Sequence, residues 1–135
     1  MRVMALDVGS KRIGVALSDP LKITAQGLQT YNRTTLEEDI ASLWKLIDEH
    51  EVSQLVVGLP KNMDGSEGFK VEEVRQFIAD LTAERQIEII WIDERLTTVS
   101  AERALLEADV SRAKRKKVID KMAAVIILQS YLDRL

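Results

Sequence analysis

Residues 2–8, Arg-Val-Met-Ala-Leu-Asp-Val, form a short apolar run that carries a carboxylate near its end. Apolar runs of this length, bounded by turn signals, read as buried strands. Asp7 follows five largely apolar residues and precedes Val8-Gly9, which points to burial or a site rather than a solvated face. Gly9-Ser10-Lys11-Arg12 has turn composition, and residues 13–18, Ile-Gly-Val-Ala-Leu-Ser, resume an apolar run of strand length. The short gap predicts a hairpin.

Residues 23–31 alternate, contain Thr and Tyr, and read as a third, more polar strand. The period then changes: Leu36, Ile40, Leu43, Trp44 and Ile47 recur at helical spacing over 35–49. Thr34 or Thr35 can cap this helix, Glu37-Glu38-Asp39 suit the positive end of its dipole, and His50 suits the other end. Residues 53–58 read as a buried strand, and 59–68 as a loop rich in Pro, Gly, Asn and Asp. A second helix places Val71, Val74, Phe77, Ile78 and Leu81 on one face. Residues 87–92 form a last buried strand that runs into Asp93-Glu94. Residues 98–107 read as a short helix and 108–117 as a polar, basic stretch. A final, largely apolar helix runs from about Val118 to Leu132 and is expected to be well buried. Trp44 and Trp91 fit core faces.

The order β-β-β-α-β-α-β-α-α predicts an α/β fold with a mixed five-stranded sheet. Its first three strands pair antiparallel, the later ones parallel, helices cover both faces, and the first strand is central. The 135 residues fit a single domain, 1–135, with an ordinary mix of 46% hydrophobic and 30% charged residues. There is no cysteine, which excludes disulfides and thiolate zinc sites. The opening residues lack a secretory pattern and no apolar run approaches the roughly 18 residues of a membrane span, so a soluble cytoplasmic protein is expected. A net charge of −3 argues against a strong, delocalised nucleic-acid binder and leaves the run Lys114-Arg115-Lys116-Lys117 as the local basic candidate.

Three carboxylates stand at the ends of apolar elements. Asp7 closes the first strand, Glu94 follows the last, and Asp120 lies in the first turn expected for the final helix. In open α/β sheets, ligand sites lie beyond strand ends near a switch in strand order. Three converging carboxylates would repel one another, and a divalent cation removes that conflict. Oxygen-only ligands favour Mg²⁺ or Mn²⁺, and two such ions can clamp the attacking and leaving oxygens of a phosphodiester. The plainer reading of Asp120 is a helix-start acid. Adjacent strand residues face opposite sides, so only one of Asp93 and Glu94 can point toward Asp7, and both stay eligible.

The segments ALDVGSKRIGVALSDP, VVGLPKNMDGSEG, DERLTTVSAE and KKVIDKMAAVIILQSYL resemble, in order, the blocks of the YqgF family, also called RuvX or RuvC-like resolvases. The resemblance covers nearly the whole chain. It implies an RNase H-like fold and active-site acids at Asp7, Glu94 and Asp120, thereby choosing Glu94 over Asp93. It implies a metal-dependent nuclease acting at the 5′ end of pre-16S ribosomal RNA in the cytoplasm, with Asp7 bridging two Mg²⁺ or Mn²⁺ ions. An older family reading is Holliday junction resolution. Two positions depart from the family: Ile119 stands where many members have Val, and Phe69 where Pro is frequent.

Around the acids, Gly9 would let a phosphate or metal approach the backbone, or would serve a turn at positive φ. Arg12 could touch a phosphate from that turn. Asn62 sits on the 59–68 loop, and Arg95 could bind a phosphate or pair with an acid. Lys116 and Lys117 could contact phosphates near the cut, or simply form a solvated face. The expected partners are nucleic acid, RNA favoured and branched DNA the alternative, and the ribosome precursor; no membrane is expected. Monomer and homodimer both stay open. The reading from another class is a non-catalytic nucleotide- or RNA-binding module, because DVGSKRIGVALSD also looks like the phosphate-binding hairpin of actin-like ATPases.

Overall fold

The computed structural model describes residues 1–60, 64–94 and 112–135, with 112–120 described by backbone alone. The elements are β1 (Arg2–Val8), β2 (Arg12–Ser18), β3 (Ala25–Asn32), α1 (Leu36–Glu49), β4 (Val52–Leu59), α2 (Phe69–Leu81), β5 (Glu88–Asp93) and α3 (Arg112–Leu132). The helix expected over 98–107 lies outside the described residues.

The sheet has the order β3-β2-β1-β4-β5, with β1 in the middle as expected. β1 pairs antiparallel with β2 from Met4↔Leu17 to Val8↔Ile13, and parallel with β4 from Arg2↔Val52 to Leu6↔Val57. β2 pairs antiparallel with β3, where the register shifts between Val15 and Ala16, and β4 pairs parallel with β5. Central position explains the continuous apolarity of β1: Val3, Met4, Ala5 and Leu6 are all fully buried, alternately on the two faces.

The two faces differ in the size of what fills them. On one, Met4, Leu6, Ile13, Val15, Leu55 and Val57 meet Leu43 and Ile47 of α1 and Val71, Val74, Phe77, Ile78 and Leu81 of α2. On the other, Val3, Ala5, Ala16, Val56 and Ile92 meet Ala123, Ala124, Ile127, Leu128 and Leu132 of α3. Alanines on both surfaces let α3 lie close to the sheet. A Cβ on Gly27 would come within 2.7 Å of the Lys121 Cγ atom, so the lysine stem rests on bare backbone of β3. Gln129 pins the helix there: its Oε1 accepts from the Ala25 amide at 3.0 Å and its Nε2 donates to the Ile23 carbonyl at 3.1 Å.

Local signals account for most element ends. Thr35 caps α1, accepting from the Glu38 amide at 3.2 Å, and His50 closes it. α2 begins at Phe69 after Gly68, which supplies no side-chain cap. Two expectations fail. The final helix does not start near Val118, because helix already runs from Arg112; Ala, Lys and Arg are strong helix formers even without an apolar face. Trp91 is not a core residue. It is 36% exposed on the edge strand β5, with the Arg75 guanidinium 5.1 Å from its ring centroid. Among the described residues no helix is long and apolar enough to cross a membrane.

Candidate active site

Alternation along β1 decides where its carboxylate goes. Val3 and Ala5 belong to the α3 side of the sheet, and Asp7, two residues further, falls on the same face. Along β5, Ile90 and Ile92 belong to that face, so Glu94, immediately after the strand, follows them and Asp93 does not.

The strand positions beside Asp7 are glycines. Asp7 is paired across β2 with Gly14. On its other side, Leu6 pairs with Val57, so the next residue of β4 is Gly58. β1 and β5 flank β4, which puts their axes about 10 Å apart. The Glu94 side chain reaches over β4 to narrow that gap: a Cβ on Gly58 would lie 3.2 Å from Glu94 Cγ, 3.3 Å from Cδ and 2.6 Å from Ile127 Cδ1. The Oε1 atom of Glu94 is buried. Gly14 thus stands opposite Asp7 on β2, and Gly58 on β4 gives the Glu94 side chain and Ile127 room to lie against its backbone.

The described part of this site suits a divalent cation. It offers acceptor-only oxygens and no sulfur or imidazole, a donor set that favours Mg²⁺ or Mn²⁺. The space over Gly58 is taken by the Glu94 stem and the Ile127 methyl, which bring the Glu94 carboxylate in over β4. Among the described residues no three such ligands converge. The side chain of Asp120 lies outside them, but its place in the chain is informative. Position 120 is more than two turns beyond Arg112 and shares, by helical period, the face of Ala124 and Ile127, which packs on the sheet. A helix-start role for this acid therefore loses its basis.

Arg12 opens β2 on the same face as Gly14 and Ala16, and so stands on the acids' side of the sheet. Gly9 is not a positive-φ residue; among glycines of the described residues only Gly65 is. The turn needs glycine there for a different reason, since a Cβ at residue 9 would sit 2.7 Å from the Arg12 carbonyl oxygen. Lys116 and Lys117 lie on α3, described by backbone only, and Asn62 and Arg95 lie outside the described residues.

Sequence reasoning missed Arg33 and the burial of Asp39. Asp39 lies in the first turn of α1 as expected and is only 1% exposed. Its Oδ2 accepts from Arg33 Nε at 2.9 Å and its Oδ1 from the Thr34 amide at 2.9 Å. Burial pushes this carboxyl up, but hydrogen bonds from Thr34, Arg33 and Tyr31 outweigh it and hold it below the usual carboxylate range. Arg33 in turn donates from Nη1 to the Gly9 carbonyl at 2.9 Å. An arginine just before a helix with an acid in its first turn was the available signal, but the third partner is a backbone atom far along the chain.

The sequence pattern of the RuvX family, described as Holliday junction resolvase, matches residues 1–134. A protein of Moorella thermoacetica named "Putative pre-16S rRNA nuclease" is 58% identical over 135 residues, 100% of this chain and 96% of its own length. One of the same name from Halalkalibacterium halodurans is 57% identical over 136 residues, 99% of this chain and 97% of its own. Among solved structures, RuvC of T. thermophilus in complex with a Holliday junction substrate superposes with a TM-score of 0.61 at 11% identity, covering 99% of this chain and 95% of that one. The fowlpox virus Holliday junction resolvase gives 0.57 at 14% identity and covers both chains fully. At such identities the likeness is one of fold, and the fold is RNase H-like.

Proposed function

This chain belongs to the RuvX family, and on that premise we propose that it is a metal-dependent nuclease that processes the 5′ end of pre-16S ribosomal RNA in the cytoplasm. The observation that carries the reading is the pair Asp7 and Glu94 on one sheet face, held across the bare backbone of Gly58. Asp120 on α3 would complete the set, and all three would hold Mg²⁺ or Mn²⁺. When bound there, a pair of such ions supplies the positive charge that a phosphodiester displacement needs at its attacking and leaving oxygens.

The chain's own residues do the rest. Glu94 reaches across β4, and Ile127 beside it helps exclude bulk water from that side. Arg12, on the same face, is placed to bind a phosphate next to the one being cut. Lys116, Lys117, Asn62 and Arg95 would extend that grip along the strand. With a net charge of −3, the chain depends on this local grip and on its ribosomal partner for affinity. The family's description keeps a four-way DNA junction as a second substrate, a reading that needs a symmetric dimer with two sites.

The deciding experiment is cleavage of labelled single-stranded RNA, with a four-way junction in parallel, in Mn²⁺ or Mg²⁺. Asp7→Asn keeps the size and removes the charge, and is expected to lower cutting by about a thousandfold or more. Equal cutting by the variant, or none by the wild type on either substrate, would sink the proposal.

A further inference from the structure

The hairpin between β1 and β2 has an unusual support. Gly9 donates to the Arg12 carbonyl at 2.8 Å, leaving Ser10 and Lys11 as a two-residue loop. Loops of this length favour turn types that place one or both residues at positive φ, because only these match the strand twist. Neither Ser10 nor Lys11 has a positive φ. The turn is therefore not of the self-supporting kind. Nor is it wedged by packing on the α2 side, where a cleft of about 670 Å³ opens between Lys11, Thr34, Gln76 and Asp80.

The hold comes from residue 33. Its amide donates to the Lys11 carbonyl at 2.9 Å, and its guanidinium to the Gly9 carbonyl at 2.9 Å. The guanidinium is itself fixed at two further points: buried Asp39 takes its Nε, and the Phe77 ring lies 4.8 Å from its Cζ. Two separate N–H groups of one rigid fork thus join a buried acid to the turn, which an ammonium cannot do from a single point.

We propose that Arg33 is a positioning residue for hydrolysis, holding through the Gly9 carbonyl the turn that carries Arg12 on the sheet face of Asp7. The inference rests on the nuclease reading for its catalytic half. Arg33→Lys keeps a charge for Asp39 and loses the second arm. A double variant, Arg33→Met with Asp39→Asn, loses that arm without leaving a buried charge unpaired.

For the wild type and both variants, two measurements decide: kcat and KM for RNA cleavage in Mn²⁺, and hydrogen exchange at the Gly9 amide, which the closing bond to the Arg12 carbonyl protects. Both variants are expected to lose between about tenfold and a hundredfold in kcat, the scale of a 1 Å misplacement. KM should change far less, and exchange in the turn should quicken by about tenfold or more while β4 amides hold their wild-type rates. Wild-type kcat in both variants, or unchanged exchange in the turn, overturns the role given to Arg33. A wild type that cuts nothing overturns the nuclease reading and the catalytic half with it. Exchange needs no activity and still decides whether Arg33 holds the turn, so the two failures are told apart.

Discussion

Gly58 has no side chain where two other side chains need its space. A strand interior disfavours glycine by roughly 0.5–1 kcal/mol relative to alanine, so Gly58→Ala would stabilise an unobstructed strand. Here the new Cβ would meet Ile127 Cδ1 at 2.6 Å and the Glu94 stem at 3.2 Å, and overpacking costs about 1–3 kcal/mol. We expect the contact to win: a lower thermal midpoint, and a fall of about tenfold or more in kcat because Glu94 is pushed off its course. A stable variant with full activity would show that Glu94 need not cross β4. Reading single residues from sequence has an uneven record in this chain. Asp7 stood out because it interrupts an apolar run. The choice between Asp93 and Glu94 did not, because Ile-Glu-Ile-Ile-Trp-Ile hides its alternation, and it took the family resemblance to favour Glu94. The positive-φ reading of Gly9 fails, and the close carbonyl of Arg12 that replaces it is a property of the folded hairpin. Arg33 was missed because its pairing with Asp39 hinted at only part of its role, the rest being a distant carbonyl.

Secondary-structure elements were more legible than their surroundings. β1, β2 and β4 declare themselves by apolar runs, and α1 and α2 by helical period, because those patterns follow from which faces are covered. The start of α3 was not legible: residues 112–117 are nearly all basic, and a helix segment without an apolar stripe has no period to read. Trp91 looked like core because nothing local tells an edge strand from a central one. The start of α2 offers a test. Phe69 is the first helical residue, is 73% exposed, and follows Gly68 in extended geometry. The amide at a first helical position has no partner within the helix, so proline is tolerated there and pre-sets the backbone. Phe69→Pro should therefore stabilise the protein by about 0.4–1 kcal/mol, raising the thermal midpoint by about 1–4 °C. A drop in the midpoint would mean that the Phe69 ring or amide has a role that its exposure conceals.

At the scale of the whole molecule, folding sets Asp7 and Glu94 on one face of the sheet, and a site built from such acids would carry a cost. Like charges brought together oppose folding until a cation offsets them. In chelator, Asp7→Asn should melt at or above the wild-type temperature. Mn²⁺ at about a hundred times its dissociation constant should stabilise the wild type by about 2.7 kcal/mol and the variant by much less. Scanning calorimetry with and without Mn²⁺ reads both effects, and a wild-type midpoint indifferent to the ion would remove the metal from the site. The two layers of the molecule also differ in how they can drift over generations. The layer under α1 and α2 is filled by large side chains, so its typical injury is a deletion of volume, such as Leu to Ala. The layer under α3 is lined by Ala5, Ala16, Ala123 and Ala124, with glycines at 27 and 58, so its typical injury is an addition. A lineage of such chains can therefore enlarge the small residues of the α3 layer less freely than it can trade volume among the large ones under α1 and α2.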